Sequence, residues 1–492
     1  MAIINIQNLS FSYDSSGDKI FDRISFSVDT DWRLGFCGRN GRGKTTLLKL
    51  LMGKYEYSGT ISSSVSFDYF PLEVTSSDCN VLDILEEIAP QARLWQIQKK
   101  LSKLAVYESV LYRPFNTLSN GEQAKVLLAC LFLRENSFLL IDEPTNHLDM
   151  QARQIVAKYL KSKKGFILVS HDRAFLDECT DHILSINRAN IEVVKGNYST
   201  WQENKDRQDA FELSQNRRLE GEISRLEKAA TQTARWAESA EKAKFAPQKS
   251  GLGADRGFLG AKAAKKMKSS KVIETRQRDA IEEKSTLLKN VESEWKLKIE
   301  PLKYHTDRLI EIKDLSISYG ERVVLDGFSL SVKRGDRIAL RGGNGSGKSS
   351  ILKLLCGQNI SHTGQVQVGS KLIISYVPQD SGFLRGNLKE FAMDNDLDET
   401  LFKSILHKLD FTKTQFDKDM QDFSQGQKKK VLIAKSLCKS AHLYIWDEPL
   451  NYIDILSRIQ IEELILAYAP TMIFVEHDRR FCDNVATGIV ET

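Results

Sequence analysis

Two octapeptides have the make-up of phosphate cradles, GRNGRGKT at 38–45 and GGNGSGKS at 342–349. Both fit the spacing G-x-x-x-x-G-K-[ST]. Gly38, Gly41, Gly43 and Gly342, Gly345, Gly347 let the backbone curl so that its N–H groups face phosphate oxygens, with Asn40 and Asn344 at matching places between them. Lys44 and Lys348 are the expected partners of the β- and γ-phosphates. Thr45 and Ser349 offer a hydroxyl to Mg2+, and Thr46 and Ser350 follow at the head of the next helix. Two carboxylate pairs complete the chemistry. Asp142 and Asp447 suit the metal, directly or through water. Glu143 and Glu448, one residue on, suit orienting and deprotonating a water that attacks a γ-phosphate. His171 and His477 follow in SHDRAF and EHDRRF, where an imidazole can donate to that phosphate.

These residues need a scaffold that brings strand ends together. Each loop follows an apolar strand (WRLGFC, DRIAL) and precedes a helical run (TTLLKLL, SSILKLL), so the helix N-terminus faces the same anion. The carboxylates end the apolar runs FLLI and LYIW, and the histidines follow GFILVS and TMIFVE. The whole order repeats. Tyr13 and Tyr319 lie 306 residues apart, Lys44 and Lys348 304, Ser119 and Ser424 305, Asp142 and Asp447 305, and His171 and His477 306. A near-constant offset over that many features indicates a duplicated domain.

Composition bounds the rest. A chain of 492 residues with 41% hydrophobic content supports packed cores, on the order of three domains. No apolar run approaches the ~18 residues of a membrane span, and LILAYAPTMIFV is interrupted by Pro470. The N-terminus lacks a signal-peptide layout, and seven scattered cysteines without a CxxC argue against a disulfide framework or zinc site. A cytoplasmic protein is expected. The net charge of +5 resides in the middle, where residues 201–300 hold 22 Lys+Arg against 17 Asp+Glu. Within 242–278 the ratio is 11 to 2. Ile223, Leu226, Ala230, Thr233, Ala237 and Ala240 form a helical seam, and Ile281, Leu288, Val291 and Trp295 a weaker returning one. Between them FAPQKSGLGADRGFLGAKAA breaks any helix. The expectation is an antiparallel hairpin whose tip mixes Lys244, Lys249, Arg256, Lys262, Lys265, Lys266 and Lys268 with Phe245, Leu252, Phe258 and Leu259, the footprint of an RNA contact. A flexible solvated linker and a membrane-surface helix are the competing readings.

The signatures LSNGEQ (118–123) and FSQGQK (423–428), each upstream of an apolar strand ending in Asp-Glu-Pro, resemble those of the ATP-binding-cassette ATPases. The resemblance covers both halves. It implies an α/β fold of two tandem ABC-type nucleotide-binding domains (P-loop NTPases) joined by a long α-helical hairpin: residues 1–200, hairpin 201–303, and 304–492. It also implies that the signature of one cassette completes the site of the other, in a monomer built as an internal pseudo-dimer. Lys44, Thr45, Asp142, Glu143 and His171 would then share one ATP with Ser424 and Gly426. Lys348, Ser349, Asp447, Glu448 and His477 would share another with Ser119 and Gly121, and Tyr13 and Tyr319 would stack on adenine. Gln379 in YVPQ fits the family's magnesium-contacting glutamine, but the first cassette has Leu72 in YFPL, which cannot ligate. Hydrolysis at the first site is therefore expected to be slower.

Two cassettes, no membrane span and an interdomain hairpin resemble the ABC-F translation factors. GRNGRGKTTLL, RPFNTLS and GAKAAKKMKSSK are similar to antibiotic-resistance members of the Lsa/Vga type. The resemblance implies a cytoplasmic partner, the bacterial 70S ribosome, bound at the exit site and 23S rRNA. It also implies a hairpin reaching past the P-site tRNA to dislodge lincosamides, streptogramin A and pleuromutilins. Only 47 and 45 residues separate the glutamine-loop position from the signature serine, leaving no room for an added arm, and no C-terminal extension is expected. The main alternative is a housekeeping ABC-F factor that relieves stalled ribosomes without drug. A transporter ATPase would give the hairpin no task and need a transmembrane partner. A DNA-repair ATPase would want zinc-binding cysteines, and a chromosome-organising ATPase would carry its coiled coil inside one cassette.

Overall fold

The computed structural model describes residues 2–245 and 297–492, apart from 14–18, 73, 75, 135–136, 147, 187–190 and 321; side chains of 230 and 233–245 are also outside the description. Contacts divide the chain into a unit made of Met1–Trp201 with Glu294–Thr492 and a unit Gln202–Ser293.

The first half opens with β1 (Ile3–Ser12) and β2 (Lys19–Asp29), then β3 (Arg33–Cys37), β4 (Ser58–Ser62), β5 (Ser66–Phe70), β6 (Ser137–Asp142), β7 (Phe166–Val169), β8 (His182–Ile186) and β9 (Ile191–Lys195). β2-β1-β4 is a small antiparallel sheet, and β5-β6-β7-β3-β8-β9 is the core sheet, parallel except for β9. The second half repeats this with β10 (Arg308–Tyr319), β11 (Arg322–Lys333), β12 (Arg337–Arg341), β13 (His362–Val368), β14 (Ile374–Val377), β15 (Leu443–Asp447), β16 (Met472–Val475) and β17 (Gly488–Glu491). Its sheets are β11-β10-β13 and a parallel β14-β15-β16-β12-β17.

The apolar runs read from sequence are central parallel strands, buried on both faces, which is why they show no alternation. Every residue of β7, β15 and β16 is buried. Strand order then does the positioning. Asp142 pairs with Val169, and Val169 with Phe36, so β6, β7 and β3 end level with one another. Asp447 pairs with Val475, and Val475 with Leu340, in the second half. Carboxylates, histidines and phosphate loops thus share the carboxyl edge of each sheet, where open α/β sheets bind ligands. The helix after each loop, Lys44–Leu51 or Lys348–Leu355, buries its leucines on that sheet.

A helix of 48 residues runs from Tyr198 to Phe245, about 72 Å at 1.5 Å per residue. Tyr198 is buried in the first-half core with Trp201 packed against it. Ile223 and Leu226 of the expected seam are half-buried. Lys244 and Phe245 close this helix, while the returning seam and Lys249, Leu252, Arg256, Phe258, Leu259, Lys262, Lys265, Lys266 and Lys268 lie outside the described residues. The chain re-enters at Leu297 and Ile299, both buried in the second core. Among the described residues no helix is long and apolar enough to cross a membrane.

Candidate functional site: two composite nucleotide cavities

Gly43 and Gly347 each precede their helix with φ of 90°, a left-handed turn that glycine adopts without strain. Each lysine folds back over its own loop. Lys44 Nζ donates to the Gly38 and Arg39 carbonyls at 2.7 and 3.1 Å, and Lys348 Nζ to those of Gly342 and Gly343 at 2.8 and 2.7 Å. Burial pushes both ammonium groups down. The carboxylates that oppose this for Lys44 are Asp454, Glu143 and Asp142, and for Lys348 they are Glu448, Asp149 and Asp447. Asp454 and Asp149 belong to the opposite cassette in each case.

The signature serines are placed by a capping box. Ser119 Oγ accepts from Glu122 N at 3.3 Å while Ser119 N donates to Glu122 Oε2 at 3.0 Å. Ser424 and Gln427 do the same at 3.3 and 2.8 Å. Such S-x-x-E/Q boxes satisfy two orphan donors at a helix start and leave the remaining N–H groups facing outward. Gly426 is wedged between its own cassette and the other: a Cβ there would meet Tyr452 O of its own half at 2.5 Å and Asn40 Nδ2 of the first half at 3.2 Å. Asn40 itself donates to the Tyr452 carbonyl at 3.0 Å.

Two cavities result. The first, about 430 Å³, is lined by Tyr13, Asn40, Gly41, Gly43, Lys44, Thr45, Thr46, Asp142, Glu143 and His171 from one half, and by Ser424, Gln425, Gly426 and Tyr452 from the other. The second, about 480 Å³, combines Asn344, Gly345, Gly347, Lys348, Ser349, Ser350, Gln379, Glu448 and His477 with Ser119, Asn120, Gly121, Leu148 and Arg153. Each phosphate loop therefore faces the other half's signature. Gly38 and Gly342 stand outside both linings and hold the lysines. Tyr319 is also outside and exposed, its hydroxyl 3.0 Å from Ser350 Oγ, whereas Arg322 and Val324 line the cavity nearby. Tyr13 hydroxyl lies 3.0 Å from Thr46 Oγ1 and its ring packs edge-on to Phe11.

The carboxylates differ between halves. Asp142 Oδ2 accepts from Thr45 at 2.8 Å and from the Tyr69 hydroxyl at 3.0 Å. Asp447 is fully buried, its oxygens without a well-formed hydrogen bond and facing the Ser349 hydroxyl, which lies close enough to favour the charged form. Burial raises the pKa of both. An orphaned buried carboxylate beside a serine hydroxyl fits a hard divalent cation. Among the described residues no three His, Cys, Asp or Glu gather into a metal cage. That suits an ion completed by water and substrate phosphate.

Glu143 and Glu448 have φ of 51° and 47°, left-handed for non-glycine residues. Such strain costs on the order of 1–3 kcal/mol and persists where the surroundings enforce it. Here each amide is tied to the neighbouring strand, Glu143 N to Val169 O at 2.9 Å and Glu448 N to Val475 O at 3.0 Å. His171 Nε2 lies 3.3 Å from Glu143 Oε1, and His477 Nε2 3.5 Å from Glu448 Oε1. Burial, then the charge of Asp142, drives the Glu143 carboxyl upward. Burial also acts on Glu448, but the neighbouring His477, Gln379 and Lys429 outweigh it and hold this carboxyl low, and Asn451 Nδ2 donates to its Oε2 at 2.6 Å. Leu72, at Gln379's place, packs against the first core and has no donor to give.

The motif reading passed over several groups. Asp149 and Asp454 cap the helices after the Asp-Glu-Pro strands and act on the opposite lysines. Arg153 and Arg458 pin those loops, reaching Asp172 at 2.9 Å and Asp478 at 3.0 Å. Where the first half has Ala124 and Ser170, the second has buried Lys429 and Glu476. Glu476 Oε1 accepts from Leu450 N at 2.7 Å, doing the work of the Thr145–Ser170 hydroxyl contact of the first half.

A family model described as ABC transporter matches residues 21–146 and 325–451, just over half of the chain. Over 99% of its length the chain is 28% identical to the ribosome protection protein VmlR of Bacillus subtilis (strain 168), covering 86% of that protein. It is 26% identical over 99% to the ATP-binding protein Uup of Buchnera aphidicola subsp. Acyrthosiphon pisum (strain APS), covering 80%. To the ABC transporter ATP-binding protein YfmR of Bacillus subtilis it is 27% identical over 100%, covering 81%. In fold it resembles an archaeal ribosome recycling factor, aABCE1, with a TM-score of 0.63 at 19% identity, covering 98% of this chain and 87% of that one. With both halves matched and each nucleotide cavity built from the two of them, the chain belongs to the ABC transporter family and is an ATPase of two tandem cassettes.

Proposed function

We propose that this ATPase binds the bacterial 70S ribosome at its exit site and protects it from lincosamides, streptogramin A and pleuromutilins. The observation that carries the reading is similarity over 99% of the chain to a ribosome protection protein, in a chain whose excess of positive charge lies between its cassettes. In this reading residues 1–200 and 304–492 are the cassettes and 201–303 the working hairpin. Its tip, Lys244, Phe245, Lys249, Leu252, Arg256, Phe258, Leu259, Lys262, Lys265, Lys266 and Lys268, meets 23S rRNA beside the P-site tRNA and displaces the drug.

ATP serves as a clamp between cassettes. Lys44 and Lys348 take its phosphates against Ser424 and Gly426, or Ser119 and Gly121, with Tyr13 and Tyr319 on the adenine side. Asp142 with Thr45, and Asp447 with Ser349 and Gln379, would hold Mg2+. That ion supplies positive charge against the negative charge that develops on the transferred phosphoryl group. Glu143 and Glu448 orient the attacking water and take its proton, and His171 and His477 steady the γ-phosphate. Hydrolysis cuts the clamp and frees the protein from the ribosome.

The test is drug susceptibility of a sensitive Gram-positive strain expressing the wild type or Glu143→Gln/Glu448→Gln. Raised resistance to the three classes, absent for a tetracycline and lost in the double variant, is expected. Unchanged susceptibility with the protein bound to ribosomes refutes protection and leaves a drug-free translation factor.

A further inference from the structure

A third depression lies away from both nucleotide cavities. It lies between the segment 88–103, residues 132–134 with Ser137, and Ser66 with Asp68 of the first half, and has a volume of about 890 Å³, more than either nucleotide cavity. Cations and aromatic rings alternate around it. Trp95 is 55% exposed, with Lys99 Nζ 5.9 Å from its ring centre. Phe132 of the lining packs edge-on to Tyr159, and Lys163 Nζ, just outside the lining, sits 5.1 and 4.7 Å from the two ring centres. Lys100 and Lys103 are also in the lining, and Lys100 adjoins Lys163. Burial, then Lys100, holds the Lys163 ammonium down to about 7. The carboxylate among the described lining residues is Asp68, already engaged by Arg134.

Gathered ammonium groups repel one another, and an anion lying between them relieves that repulsion. A flat exposed indole among them adds a platform for a planar base. This pairing of backbone charge with a stacking ring is how single-stranded nucleic acid is held without sequence preference. We propose that the groove docks single-stranded RNA, one unpaired base on Trp95 and the flanking phosphates on Lys100, Lys103 and Lys163. RNA as the source of base and phosphate rests on the ribosomal reading above. An acidic peptide would answer the charges but leave Trp95 unused.

The experiment is photocrosslinking of the full chain to a 4-thiouridine-bearing single-stranded RNA of about a dozen nucleotides, with mapping of the crosslinked peptides. A crosslink within 94–103 is expected, lost in Lys100→Glu/Lys103→Glu. Affinity should fall roughly tenfold in Trp95→Ala and much less in Trp95→Phe. ATP turnover should be unchanged in all three variants, which also reports that they fold. Crosslinks confined to 244–268, wild-type affinity in the double variant, or loss of the groove crosslink to equimolar inorganic phosphate would each overturn the proposal. Co-sedimentation of the wild type with ribosomes judges the other reading separately. A retained groove crosslink without co-sedimentation sinks only the ribosomal assignment.

Discussion

Arg173 of the first cassette donates to Glu462 of the second across 2.6 Å, and the two side chains are only 5% and 9% exposed. Asn484 holds the other Glu462 oxygen at 2.5 Å. Arg173→Ala therefore leaves a buried carboxylate with a single amide partner, whereas in Glu462→Ala the guanidinium keeps the opposing charge of Asp478 and the loss should be smaller. Stranding a buried charge costs about 3–5 kcal/mol. At about 1.4 kcal/mol per factor of ten, closure of the cassettes should weaken by roughly 10²- to 10³-fold or slightly more. Both nucleotide cavities draw residues from both cassettes, so the loss should appear as a higher ATP concentration for half-maximal turnover. Removing both partners at once leaves no stranded charge. The double variant should then fall short of the summed single effects by about 1–3 kcal/mol. The assay is ATPase titration of wild type, both single variants and the double. Single effects within about threefold of wild type, or strict additivity, would refute a bridge that couples the cassettes.

Glu448→Gln should remove at least about ten times more of the total turnover than Glu143→Gln, because both Gln379 and His477 act on the second carboxylate whereas Leu72 leaves the first with His171 but no amide beside it; equal losses in kcat would contradict this. Asp447→Asn should raise the Mg2+ concentration needed for half-maximal ATPase by roughly tenfold or more, read by metal titration at saturating ATP. Neutralising Lys262, Lys265, Lys266 and Lys268 should flatten the logarithmic salt dependence of ribosome binding by about 0.7–0.9 for each phosphate left without its lysine, measured by co-sedimentation at rising salt.

The parts of the site that sequence made legible are those held by local backbone chemistry. The glycines of 38–45 and 342–349 announce a turn only they can make, and the Ser119/Glu122 and Ser424/Gln427 spacings announce helix starts. The uninterrupted apolar runs before Asp142 and Asp447 announce strands buried on both faces. Repetition at offsets of 304 to 306 then makes each feature corroborate its copy. The rest depends on which surfaces meet. Asp149 and Asp454 read locally as helix caps, and only the apposed halves set them near Lys348 and Lys44. Arg322 and Val324 lie in β11 with no motif of their own. Lys100 and Lys163 are more than sixty positions apart in chain order, and separately each is an ordinary surface lysine. The adenine side shows the same limit, since Tyr13 and Tyr319 occupy matching positions yet only Tyr13 lines its cavity.

The Arg173–Glu462 bridge has no mirror image. By the repeat offsets its counterparts are Arg479, which pairs with Asp483 on the exposed face of its own helix, and Ala157, which has no charge to offer. Two identical chains meeting about a two-fold axis would carry such a bridge twice or not at all. A tandem chain can carry it once. It lies beside Tyr198, where the long helix begins, and Arg480 reaches Ser199 there at 3.4 Å. The halves are also joined at the first phosphate loop, where Arg39 pairs with Asp410 at 3.3 Å and Asn40 donates to the Tyr452 carbonyl at 3.0 Å. Because these fastenings are one-sided, the two cavities are expected to open unequally for reasons of cassette contact as well as of the chemistry in either one.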